Sequence, residues 1–286
     1  MGRLSAAGSS ALSHRDRAGD GLAEAFLAVR ARLGLVALLF VLAGLAWWLT
    51  AERMAGMDAG PGTSLGTLGW FLGVWVLMMA AMMLPAVAPT VALYAKLTRR
   101  GGVSGSLLFT SGYPFVWSAA GLAAYGLFRL GKSLLGDQFA WHSAGRWCAG
   151  GVLVLAAAYE LTALKDVCLR KCRSPLGFLL GAWREGGRGA LGMGARHAAW
   201  CVGCCWALMA ALFALGIMSL AWMAFVAALI TLEKTLPWRH VALWGTTAIL
   251  LALAFGLIAA PDSVPALVIP GAKGAMHAMH SMGTMR

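Results

Sequence analysis

Apolar positions in this chain come in long unbroken runs, not in the strict alternation of strands or the single stripes of soluble amphipathic helices. A run of roughly 20 mostly apolar residues is the length that crosses a bilayer as a helix. The pattern predicts seven, at 33–50, 68–95, 104–130, 147–164, 198–217, 219–236 and 241–260. The fifth and sixth share one apolar tract of about 35 residues. As a single helix rising 1.5 Å per residue it would extend about 52 Å, against a hydrocarbon core of about 30 Å. A hairpin at Gly216–Ser219 is therefore expected. The expected fold class is all-α, a polytopic transmembrane bundle of about seven spans. Its domain covers 33–260, between a basic tail at 1–32 and a Met/His-rich tail at 261–286.

Composition agrees with the pattern. Of 286 residues, 60% are hydrophobic and 12% charged, an excess that a soluble core does not need. A net charge of +12 would suggest nucleic acid in a soluble protein. In a membrane protein the bases collect on cytoplasmic loops instead, so the expected partner is the lipid bilayer and not nucleic acid. Seventeen of the 23 Lys and Arg fall on the side of the N-terminus. The expected orientation in a bacterial cytoplasmic (inner) membrane is thus N-terminus inside and C-terminus outside. Trp47, Trp48, Trp70, Trp147, Trp200 and Trp238 stand near span ends, as an interfacial belt requires. The first 30 residues lack the apolar segment and small-residue cleavage site of a signal peptide. In the connection 173–196, Phe178, Leu179, Leu180 and Trp183 predict a short amphipathic helix along the cytoplasmic interface.

Sulfur is unevenly placed on this scaffold. Met78, Met79, Met82 and Met83 stand at i, i+1, i+4 and i+5 on one face of the second span. A flexible side chain filling an irregular contact is the ordinary use of Met. A doubled i, i+4 pair also offers neutral soft donors that pass Cu(I) through hydrocarbon without burying a charge. Pro85 and Pro89 behind them remove two backbone donors, and a broken helix exposes carbonyls. On the cytoplasmic side, "CLRKC" gives Cys168 and Cys172, and "HAAWCVGCCW" gives His197, Cys201, Cys204 and Cys205 on one helical stripe. A reducing compartment argues against disulfides. Such thiolates suit Cu(I) first and Zn(II) second, the latter in a closed tetrahedron; buried Cys as a plain small hydrophobe is the alternative. Cys148 stands apart and reads as structural. Outside, Met54 and Met57 precede Asp58, and the tail interleaves Met276, His277, Met279 and His280, a mixture suited to copper in an oxidising compartment.

Charged groups in the spans are few. Glu160, Glu233 and Lys234 near cytoplasmic ends are expected to snorkel or pair; proton-coupled gating by Glu160 and Glu233 is the functional alternative. No catalytic constellation and no Walker motif occurs, so an enzyme is not expected.

The i, i+4 Met pair resembles the Met filter of the Ctr-type copper transporters of eukaryotes, a likeness of spacing alone. "MAGMD", "MMAAMMLPAVAPTV", "CLRKCRSP", "CVGCCWALM" and "LEKTLP", over residues 54–237, together resemble a bacterial family of uncharacterised, predicted metal-binding integral membrane proteins. The resemblance implies a membrane location and metal binding at these Met and Cys motifs, and no particular reaction. Copper follows from ligand softness. The expected function is binding, and translocation or relay, of Cu(I) through Met and Cys ligands. The alternatives are a membrane-anchored carrier or assembly factor delivering copper to a cuproenzyme, with a soluble copper chaperone as another partner, and a membrane oxidoreductase subunit.

Overall fold

The computed structural model describes residues 30, 33–54, 66–98, 102–135, 145–216 and 219–260. Among these residues the regular structure is helical, in the order α1 (Leu33–Met54), α2 (Leu68–Leu97), α3 (Gly102–Leu135), α4 (Arg146–Glu160), α5 (Ala163–Arg173), α6 (Pro175–Ala182), α7 (Gly186–Leu215), α8 (Leu220–Thr235) and α9 (Arg239–Ala259). The all-α expectation is met. The residues Met57, Met276, His277, Met279 and His280, with most of both tails, lie outside the described residues.

Four helices, α1, α2, α7 and α9, are long and apolar enough to cross a membrane. Of the seven spans expected, the other three fall short of that standard. The third helix has 34 residues, but Ser, Thr, Gly, Tyr and Pro dilute its apolar content. The sixth span is a helix of 16 residues. The span expected at 147–164 stops at Glu160 after 15 residues. There Thr162 leaves helical geometry and caps a new helix, its Oγ1 accepting from Lys165 N at 3.2 Å. Large apolar side chains such as Phe115, Leu155 and Phe255 stand exposed on the outside, the surface that lipid rather than water would cover.

The long α7 is the hub, packing on α3, α4, α5 and α8. Its approach to α3 depends on missing side chains. A Cβ on Gly194 would lie 1.8 Å from Phe109 O, and one on Gly112 would lie 2.4 Å from Ala195 N. Backbone meets backbone there, the close approach that small residues allow between packed helices. At its far end α7 stops at Gly216, whose φ of 115° favours glycine. Ser219 N donates to Gly216 O at 3.0 Å, and the Ser219 side chain caps α8. The expected hairpin is therefore present.

The prolines of α2 do not break it: the helix runs unbroken from Leu68 to Leu97 with Pro85 and Pro89 inside. Pro85 has no N–H for the carbonyl four residues earlier, which is Ala81 O. Trp47 of α1 supplies the missing donor, its Nε1 reaching Ala81 O at 3.2 Å. Trp47 thus has an internal partner, whereas Trp48 is exposed as an interfacial residue would be.

The segment 175–182 is helical as expected, but one face turns into the protein. Phe178 and Leu179 are buried in the core, and Leu180 is exposed.

Candidate metal centre

Two helices supply five of the six thiols. On α7 the stripe His197, Cys201, Cys204 and Cys205 is buried throughout. Facing it, α5 carries Cys168 and Cys172 one turn apart. All six cysteines of the chain are free. Three of them converge: the sulfurs of Cys172, Cys201 and Cys204 all lie within 4.8 Å of one another, with Cys204 Sγ 3.7 Å from Cys172 Sγ. Cys201 and Cys204 are buried and Cys172 is half-buried, so α5 gives the trio its more open edge.

The remaining cysteines lie outside that group, although Cys205 stays beside Cys201. Cys205 Sγ donates back to Cys201 O at 2.9 Å. Cys168 Sγ fills the space above Gly203, where a Cβ would come within 2.7 Å of it. Cys148 is exposed on α4 and joins neither.

The methionines of α2 face inward. Met78, Met79, Met82 and Met83 are all at least 96% buried within the bundle. Met83 Sδ reaches the trio, 3.8 Å from Cys201 Sγ. Met54 is also buried, at the end of α1. The buried Met193, Met209 and Met223 belong to the same core and had no spacing signal in the sequence.

His197 is held apart from the thiols. Its Nε2 lies 3.2 Å from Thr90 Oγ1, and its ring stacks on Phe178 at 4.8 Å, with Tyr113 edge-on at 5.9 Å. The other nitrogen, Nδ1, is buried without a hydrogen-bond partner.

Charges complete the surroundings. Glu160 and Glu233 both grip Lys165, at 2.7 and 2.8 Å, and all three side chains are buried. Burial alone would pull this ammonium down, but the two carboxylates outweigh it and hold Lys165 above the usual lysine value. Arg173 of α5 ties down the end of α8, donating to Glu233 O at 3.1 Å and to Leu236 O. Lys234, next to Glu233, points the other way, with its Nζ 3.2 Å from Cys201 Sγ.

Sequence reasoning had the two carboxylates but missed the cation that joins them. Two glutamates ending apolar runs need a buried positive partner, and Lys165, five residues after Glu160, was the available signal. The contact of Lys234 with a thiol had no sequence signal, because it depends on how α8 meets α7.

Three thiols with a thioether beside them form a soft donor set of low coordination number, which suits Cu(I). Zinc prefers a closed tetrahedron of thiolate, imidazole or carboxylate. His197, the imidazole that could close it, is not among the ligand atoms that lie within 4.8 Å of one another. The residues present therefore fit a soft metal ion such as copper.

A family model described as PpoB2, copper chaperone, matches residues 72–257. The chain belongs to this copper chaperone family. No curated protein and no solved structure matches it. The stretch shared with the PpoB2 family holds Met83, Cys172, Cys201, Cys204 and Lys234, and excludes Met54, Met57 and the Met/His tail. Membership accords with metal binding, with copper as the metal, and with the convergence of thiols on α5 and α7.

Proposed function

We propose that this protein is a membrane-bound copper chaperone that holds Cu(I) on Cys172, Cys201 and Cys204, with Met83 as the neighbouring thioether donor, and passes it to a copper-using enzyme. One observation carries the reading: three thiol sulfurs from two different helices lie within 4.8 Å of one another in a buried site. Buried Cys as ordinary packing does not require that convergence. Cys172, the least buried of the three, is the natural side for handover. The membrane is the bacterial inner membrane, with the N-terminus cytoplasmic, and the copper is cargo. The reading assigns the protein no reaction of its own.

A relay along the membrane is the second reading, favoured by the contact of Met83 Sδ with Cys201 Sγ. The buried thioether face of α2 would feed the thiols by ligand exchange. Copper uptake into proteoliposomes separates the two, since a chaperone needs binding without flux.

The direct test is metal analysis of the purified protein under reducing conditions. Wild type is expected to retain copper, Met82→Leu/Met83→Leu less, and Cys201→Ser/Cys204→Ser almost none. Equal trace copper in all three would end the reading.

A further inference from the structure

The run Leu232 to Pro237 at the end of α8 is not absorbed by the ligand set, yet it touches the trio. Glu233 and Lys234 are consecutive, so their side chains leave the helix about 100° apart. Glu233 is fixed on Lys165 at 2.8 Å, and Arg173 holds Glu233 O and Leu236 O. With α8 anchored on both sides, Lys234 has little choice of direction, and its Nζ sits 3.2 Å from Cys201 Sγ. Cys201 is also the thiol that Met83 touches. It therefore stands between a fixed cation and the neutral thioether.

We infer that Lys234 is a selectivity residue, a built-in positive charge at the edge of the trio that favours a monovalent soft cargo over a divalent one. The inference rests on the copper reading above. A metal held by the trio lies several ångströms from the Lys234 ammonium, and the repulsion between them scales with the charge on the metal. At about 5 Å and an effective dielectric near 20, the second unit of charge on Zn(II) corresponds to more than about a tenfold loss of affinity relative to Cu(I). Lys234 also attracts the thiolates, which helps either metal. That contribution is common to both, so it cancels in the ratio of their affinities. The fourth position adds to the bias, because Met83 offers a thioether, a better partner for Cu(I) than for Zn(II).

The test measures that ratio on the full-length protein in detergent under reductant. Bicinchoninate serves as the competing probe for Cu(I), and a fluorescent zinc chelator as the probe for Zn(II). In Lys234→Met the preference is expected to move toward Zn(II) by about tenfold or more. Lys234→Arg, which keeps the charge, is expected to retain the wild-type ratio. An unchanged ratio in Lys234→Met, or an equal shift in Lys234→Arg, overturns the inference and leaves the thiol site standing. If Lys234→Met does not fold, Lys234→Gln carries the same prediction. Wild type that competes for neither ion overturns the copper reading itself, a result distinct from an unchanged ratio.

Discussion

Two lysine-centred clusters lie side by side where α5, α7 and α8 meet, and their chemistry differs. In the first, Lys165 is clasped by the oxygens of Glu160 and Glu233 at 2.7 and 2.8 Å, with all three side chains buried. Hard donor meets hard acceptor at ordinary contact, and no gap is left for a guest. In the second, Lys234 stands 3.2 Å from Cys201 Sγ, with Cys204 Sγ 3.7 Å from Cys172 Sγ and Met83 Sδ 3.8 Å from Cys201 Sγ. Sulfur is large and polarisable, makes poor hydrogen bonds, and gains more from a soft metal than from a neighbouring thiol. The first cluster is a clamp that joins α4, α5 and α8. The second is a set of soft donors beside that clamp.

Breaking the clamp is expected to give the largest effect. Lys165→Met leaves two buried carboxylates facing each other, and losing one partner of a buried ionic group costs about 3–5 kcal/mol. A fall in thermal stability in detergent, with copper retention falling alongside it, checks this. Unchanged stability would show that the clamp is not structural.

The thiol site should respond in the opposite way. Cys204→Ser keeps the size and the helix but removes one of the three proposed donors. Altering the surroundings of a ligand already costs about 10–100-fold in metal affinity, so losing the ligand should cost about 100-fold or more. Thermal stability should change little. Cu(I) competition beside a melting curve shows whether the two clusters separate in this way.

Met83→Leu sharpens the contrast within the soft cluster. The volume is conserved, so stability should shift by less than about 1.5 kcal/mol. Cu(I) affinity should weaken by about tenfold if the thioether is a donor, and by nothing if it only packs. Cys148→Ser is the smallest expected effect. That thiol is exposed on α4 away from the trio, so stability should stay within about 0.5 kcal/mol and copper retention should not move.

Much of the soft cluster was legible before any coordinates. The i, i+4 spacing of Met78 with Met82 and Met79 with Met83 placed all four on one face, and that face proved buried. The stripe from His197 to Cys205 was also a matter of helical period. Spacing could not choose among the cysteines. Cys168 and Cys172 are equivalent by period, yet one packs over Gly203 and the other enters the trio, because α5 crosses α7 at one height only. His197 shared the stripe, but its partner, Thr90, lies 107 residues away.

The expectation about proline failed for a similar reason. A lost donor at Pro85 is a local fact, but whether it breaks the helix depends on what else can satisfy Ala81 O, and Trp47 arrives from α1 to do so. The span expected at 147–164 was apolar enough to read as one helix, and Thr162 supplied a cap that hydropathy does not register.

What the sequence determined by itself is therefore whatever repeats along one helix: the all-helical class, the apolar runs, the hairpin at Gly216 and the sulfur-bearing faces. These follow from local backbone geometry and the partition of side chains between oil and water. What only the tertiary structure decided is which donors meet. The trio draws Cys172 from α5 and both Cys201 and Cys204 from α7, and it takes Met83 from α2 and Lys234 from α8 as neighbours. Such a meeting is fixed by crossing heights and backbone approach, as where Gly194 lets α7 lie against Phe109, and no period along a single helix encodes it.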